Sequence, residues 1–255
     1  MLEDKCKWLR GEILNILMRS GKGHVGGALS CVEILISLYY GGLIAGDNKF
    51  ILSKGHVSIA LYPILHDLGY ISDEDYKGCY MNGNVLGGHP DININGIEFD
   101  TGSLGHGLGV ACGMAIANKN RDVYVLMGDG ECNEGSVWES VLFAAKHKLN
   151  NIVLIIDKNN ICATDFLKNA CPLRQLSGRL RQCGWVVANT DGHDVENIIY
   201  SINMPKRLCY DQPLAIIAKT IKGKGISYME NNPKWHHGVP SKEELEIARR
   251  EIDGS

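Results

Sequence analysis

The chain has 255 residues, 45% of them hydrophobic, and a formal net charge of −3. That length fits one large α/β domain or two small ones, and the apolar share is ample for a packed core. The charge gives no electrostatic case for nucleic acid or an anionic membrane, and the longest apolar stretches are strand-sized, too short to span a bilayer.

Residues 2–19 read as an amphipathic helix. Glu3, Asp4 and Glu12 among its apolar positions argue against a signal peptide. Helices follow over 30–40 and 57–68, then a long loop over 80–107 and a helix over 107–118. The apolar run Val123–Met127 predicts a strand. Residues 135–148 predict a helix with Val137, Val141, Leu142, Ala145 and Leu149 on one stripe, and residues 152–157 a second strand. After a loop come a helix over 173–183, a strand over 185–189, a helix over 194–203, a strand over 214–219, and a polar tail ending in a helix over 241–251. Strands alternating with helices predict an α/β fold, a parallel sheet with helices on both faces. No linker, repeat or low-complexity run interrupts the chain, so residues 1–255 read as a single domain. The nine cysteines form no Cys-x-x-Cys pair. With no secretion signal, they are expected to be free thiols in a reducing cytoplasm. Cys31, Cys112 and Cys162 lie in apolar or Gly-rich contexts and read as packing residues.

Two polar motifs stand out against this pattern. Gly128-Asp129-Gly130 closes the strand 123–127, and Asn159-Asn160 closes the strand 152–157. A strand–loop–helix–strand unit makes the two strands parallel neighbours with a right-handed crossover. Both motifs then fall at the carboxyl edge, where open α/β sheets bind ligands. A carboxylate and an amide oxygen converging there suit magnesium or calcium, and magnesium usually keeps few protein ligands plus substrate phosphates. The implied ligand is a metal-bridged diphosphate. The bland alternative is ordinary turn chemistry, since Asp-Gly and Asn-Asn are common at strand ends. A P-loop is excluded because no Gly-Lys-Ser/Thr follows a Gly-rich loop. A dinucleotide fingerprint lacks its third glycine, and its carboxylates repel a bare pyrophosphate.

Gly128-Asp129-Gly130, with residues 131–158 before Asn159-Asn160, resembles the thiamine-diphosphate fingerprint. Five further segments narrow the resemblance to transketolase. Gly23-His24-Val25-Gly26-Gly27, Ser53-Lys54-Gly55-His56 and Gly87-Gly88-His89-Pro90 resemble the family's three early histidine motifs. Thr101-Gly102-Ser103-Leu104-Gly105-His106-Gly107 resembles its cofactor-ring loop. Lys219 to Gly225, followed by Trp235-His236-His237-Gly238, resembles its closing segment. The resemblance runs from about residue 10 to the end and covers roughly the amino-terminal third of a full-length transketolase.

The resemblance implies a thiamine-diphosphate-binding (pyrophosphate) fold and the transfer of a glycolaldehyde unit from a ketose phosphate to an aldose phosphate. The implied cofactors are thiamine diphosphate and magnesium, with calcium or manganese as substitutes. The cofactor carries the carbanion chemistry; the protein supplies binding and proton transfer, which near neutral pH suits imidazole. His24 and His89 are implied to face the substrate's hydroxyls, and His56 to lie beside the diphosphate. Gly102 and Leu104 are implied to meet the aminopyrimidine. Asp129, Asn159 and the carbonyl of Ile161 are implied to ligate the metal, and Gly130 to lend its N–H to a phosphate. Lys222 adds a point charge near the cofactor, or is a solvated Lys in a Gly-rich turn. The Trp-His pairing picks His236 as the family's late histidine, and the His-Gly-x-Pro spacing picks His237; both stay candidates for catalytic and cofactor contact. His106 stands where relatives usually have Gln, with a polar contact behind the cofactor as its implied role. Phe166 follows Asp165 where relatives often have Gly. His66 and His147 sit inside predicted helices and receive no role.

The family's activating glutamate lies in a separate pyrimidine-binding domain that this chain does not match, and Glu134 resembles an interface glutamate instead. The expected assembly is therefore a split transketolase, in which this chain pairs with a carboxyl-terminal partner as α2β2, in the cytoplasm, within pentose phosphate or related carbohydrate metabolism. Three alternatives stay open: an α-type subunit of another split thiamine-diphosphate enzyme, a non-catalytic paralogue, and a subunit serving a specialised sugar or secondary-metabolite pathway.

Overall fold

The computed structural model describes residues 1–170, 173–208 and 211–254. In chain order it contains α1 (Leu2–Ser20), α2 (Val25–Ser30), α3 (Val32–Tyr39), β1 (Lys49–Leu52), α4 (Ser58–Asp67), α5 (Asp73–Lys77), α6 (Gly107–Ala117), β2 (Val123–Gly128), α7 (Gly135–Lys146) and β3 (Ile152–Lys158). There follow β4 (Ile161–Cys162), β5 (Asp165–Phe166), α8 (Leu167–Ala170), α9 (Leu176–Gln182), β6 (Val186–Asp191), α10 (Val195–Leu208), β7 (Leu214–Lys219) and α11 (Lys242–Gly254).

Five strands form one parallel sheet in the order β1-β2-β3-β7-β6, and β4 and β5 form a small antiparallel hairpin. β2 and β3 are neighbours in a register that sets Gly128 beside Asp157. The predicted pairing is therefore the observed one. Side chains alternate between two buried layers. Tyr124, Leu126, Val153 and Ile155 face a layer with residues of α1, α3, α4 and α10. Val125, Met127, Leu154 and Ile156 face a second layer with residues of α6, α7 and α9. Covering both faces removes any need for polar alternation, which is why β2 and β3 read as unbroken apolar runs.

The structure departs from the sequence reading in several places. β1 has only four residues and no long apolar run to announce it. The helix expected over 30–40 breaks at Cys31, whose ψ of 15° separates α2 from α3. α10 passes through Pro205, where the sequence reading stops short. On α7, Leu142 is 58% exposed, and Ala144 takes the inward position instead. Cys31 and Cys112 are buried as expected, whereas Cys162 is half-buried. The seven described cysteines are unbridged. Among the described residues no helix is long and apolar enough to cross a membrane.

Candidate active site

The carboxyl ends of β1, β2, β3 and β7 bring the polar motifs together around a buried charge. Asp129 follows β2 and is 3% exposed. Its Oδ1 accepts from the Gly130 N–H at 2.9 Å and its Oδ2 from the Asn160 N–H at 2.6 Å, which ties the two motifs directly. Asn159, 7% exposed, accepts from the Ile161 N–H through Oδ1 at 3.1 Å. Its amide NH2 donates to Asp157 Oδ2 at 3.3 Å and Ser30 Oγ at 3.4 Å. Burial, and then the charge of Asp157, push the Asp129 carboxyl up to about 6. Gly130 packs so close to Cys162 that an added Cβ would lie 2.9 Å from its Sγ.

Beneath this pair sits a network the sequence reading missed. Asp157 is fully buried and accepts from Ser30 Oγ at 2.5 Å, from Thr220 Oγ1 and from the Lys54 ammonium. Lys54, 2% exposed, also donates to the Gly27 carbonyl at 3.2 Å. Burial opposes both charges, but each outweighs that cost for the other. Asp157 is held below its ordinary range and Lys54 above. Four separate segments thus meet at one carboxylate. The available signal was an Asp closing an apolar strand two residues before Asn159; the alternation of β3 turns it to the layer opposite Lys158.

Next to this network five of the expected histidines converge. The His24 ring centre lies 5.2 Å from His56, 6.5 Å from His89, 5.1 Å from His236 and 5.0 Å from His237. Lys222 Nζ sits 3.1 Å from His236 Nδ1 and donates to the Ala163 carbonyl at 3.1 Å. The Gly223 N–H donates to the Gly26 carbonyl at 2.9 Å, pinning the closing segment to the first histidine motif. Tyr62 Oη donates to the carbonyls of Gly87 and His89 at 3.0 and 2.9 Å and holds the third motif. Burial and neighbouring cations lower His24 and His236 to about 4 and His56 further, and burial lowers His89. Burial, then Lys54, brings Lys222 down to about 8. His24, His56 and His236 are therefore neutral at pH 7, able to accept or pass a proton.

The other expected residues are placed less centrally. Gly102 lies beside the His89 ring, and Leu104 is half-buried in the same loop. Ile161 pairs with Phe166 in the β4–β5 hairpin. His106 is exposed at the start of α6 with no side-chain cap. His66 stacks on Tyr76 and His147 packs on Phe143. Among the described residues no group of three or more His, Cys, Asp or Glu is arranged to hold a metal ion. The expected set of one carboxylate, one amide oxygen and one carbonyl contains only one such side chain.

The chain matches the family model described as "Transketolase, thiamine diphosphate binding domain" over residues 6–253. It is 40% identical over 266 residues to an apulose-4-phosphate transketolase subunit from Phocaeicola vulgatus, covering 98% of this chain and 93% of that one. It is 33% identical to the 6-deoxy-6-sulfo-D-fructose transketolase subunit SqwG of Clostridium sp. strain MSTE9, covering 99% of this chain and 96% of that one. The crystal structure of transketolase from Campylobacter jejuni superposes with a TM-score of 0.91 at 30% identity, covering 99% of this chain and 42% of that one. The parallel α/β fold, the gathered motifs and these relatives together make the chain a member of the transketolase family, built on its thiamine-diphosphate-binding domain.

Proposed function

We propose that the chain is the cofactor-binding subunit of a two-chain transketolase, acting as one thiamine-diphosphate domain over residues 1–255. The observation that carries this reading is the meeting of the Asp129–Asn159 pair with a cluster of neutral histidines at one sheet edge. The donor set fits a small hard cation. Among the described residues Asp129 is a buried carboxylate without an ion-pair partner, and Asn159 adds an amide oxygen. Asp129, Asn159 and the Ile161 carbonyl would hold magnesium, with calcium or manganese as substitutes.

Thiamine diphosphate, when bound, supplies the carbanion chemistry by which a two-carbon ketol unit leaves a ketose and joins an aldose. The chain's own residues bind, orient and move protons. His56, half-buried beside the network, and Lys222 with its bonded His236 serve the diphosphate end. His24, His89 and His237 face the sugar hydroxyls, accepting a proton from the donor and returning one to the acceptor. Gly102 and Leu104 receive the cofactor ring.

Relatives that are named as single transketolase subunits, and whose length this chain nearly spans, support a separate carboxyl-terminal partner. That partner would bring the pyrimidine-binding domain in a cytoplasmic α2β2 assembly. Relatives' names point to ketoses with an anionic terminal group, a phosphate in one and a sulfonate in another. The test is to assay ketol transfer from a panel of ketose phosphates. The chain alone is expected to be inactive and the mixture with its partner active. Robust turnover by the chain alone, after removal of host enzyme, overturns the reading.

A further inference from the structure

Glu131 is 3% exposed, and among the described residues its side chain bonds only to neutral donors. Its Oε1 accepts from Ser53 Oγ at 2.5 Å and from the Gly105 N–H at 2.9 Å, and its Oε2 accepts from the Gly128 N–H at 3.2 Å. Those three partners belong to three different parts of the site. Ser53 opens the segment that carries His56, Gly105 lies in the ring loop with Gly102 and Leu104, and Gly128 precedes Asp129. The Gly105 peptide is gripped from its other side as well, since its carbonyl accepts from Ser136 Oγ at 3.0 Å. Gly105 has a φ of +88°, and an added Cβ would lie 2.6 Å from Glu134 Cβ, so only glycine fits.

A buried carboxylate without a bonded cation is costly, and its place is explained if it joins the backbones it touches. We propose that Glu131 is a positioning residue that transmits occupancy of the metal and diphosphate loop to the loop that receives the cofactor ring. This rests on the cofactor-site reading above. A carboxylate suits the task because both oxygens accept from a backbone N–H. In Glu131→Gln one end becomes an NH2, so whichever way the amide turns, one loop meets a donor where it needs an acceptor. The variant keeps the size of the side chain and cuts one of the two links.

The test uses the chain mixed with its carboxyl-terminal partner, magnesium and inorganic pyrophosphate, a probe that reaches the diphosphate end alone. Amide hydrogen exchange is followed in residues 101–107 at saturating pyrophosphate, with affinity read by calorimetry. In the parent, pyrophosphate is expected to slow exchange in that loop by about threefold or more. In E131Q pyrophosphate should still bind, within about tenfold of the parent, the scale of one lost hydrogen bond. Exchange in the loop should then not respond. Glu131→Asp, which keeps the charge but is one methylene too short to span both loops, should behave alike and serves if E131Q does not fold. Equal slowing in parent and variants overturns the proposal, as does no slowing in a parent that binds pyrophosphate. A parent that binds no pyrophosphate with magnesium overturns the cofactor-site reading itself, and the proposal with it.

Discussion

Replacing Lys54 by Met is expected to cost the fold about 3–5 kcal/mol, because it strands a buried carboxylate. Asp157 is 0% and Lys54 2% exposed at the side chain, so water cannot take over for the lost partner. Ser30 and Thr220 would still donate to Asp157, but neither carries charge. Asp157→Asn leaves the ammonium with neutral acceptors alone, the Gly27 carbonyl and the new amide oxygen, and a loss of similar size is expected. For a chain this size such a loss lowers Tm by roughly 6–20 °C. In Lys54→Met/Asp157→Asn each change removes the charge the other would strand. The double variant should therefore recover at least about 2 kcal/mol relative to the sum of the single losses. Urea unfolding followed by tryptophan fluorescence measures all four proteins. Additivity within about 0.5 kcal/mol would refute the reasoning, since it would mean the two groups do not see each other. The pair also has a defined pH window. The depressed Asp157 stabilises the fold above the ordinary carboxylate range and loses that effect as pH falls through its lower folded value. The raised Lys54 stabilises below the ordinary ammonium range and loses its effect only as pH rises through its higher folded value. Between those limits the pair contributes a constant amount.

Other tests follow from the same geometry. His24, His56 and His236 bind protons less readily folded than unfolded, so stability should fall as pH drops from 6.5 towards about 4. Asp129, raised to about 6, and Glu131, also raised by burial, work in the opposite direction over their own ranges, but the four lowered histidines, His89 included, outnumber them and leave a net loss. Thermal melts between pH 7.5 and 4.5 should show it, and His236→Gln should reduce the slope; a flat profile in the parent contradicts the half-buried, neutral assignment. His89→Ala should lower turnover of the assembled enzyme by about 10²–10⁴-fold while leaving cofactor affinity nearly unchanged. Full rescue of its rate by excess thiamine diphosphate would move His89 from the substrate to the cofactor.

The β2–α7–β3 unit was legible because burial on both sheet faces leaves continuous apolar runs, and a helix between parallel strands is the usual crossover. β1 was not, because a strand of four residues has too little pattern to separate it from a loop. Leu142 was misplaced for a different reason. It falls within the apolar arc of α7 by period, but the helix turns it outward and buries the smaller Ala144. The histidines come from segments more than two hundred residues apart, and no local signal joins His24 to His237; only the family's ordered motifs do. Lys54, Asp157 and Glu131 escaped because a charged residue at a strand end is ordinarily solvated, as at Lys219 one position after Ala218. Which charges turn inward depends on partners from other segments, and those are set by the tertiary fold.

The claim at the centre is that Asp129 and Asn159 hold the cofactor through a divalent cation. Titration of thiamine diphosphate into the chain mixed with its carboxyl-terminal partner, with magnesium and then with excess chelator, tests it most directly. The parent should bind only when magnesium is present and gain about 2.7 kcal/mol of stability at a hundredfold excess over Kd. Asp129→Ala should show no magnesium-dependent binding while its ligand-free fold stays intact, since Asp129 sits at a strand end outside the apolar layers. Binding by Asp129→Ala as tight as the parent's, or parent binding indifferent to the chelator, would contradict the assignment.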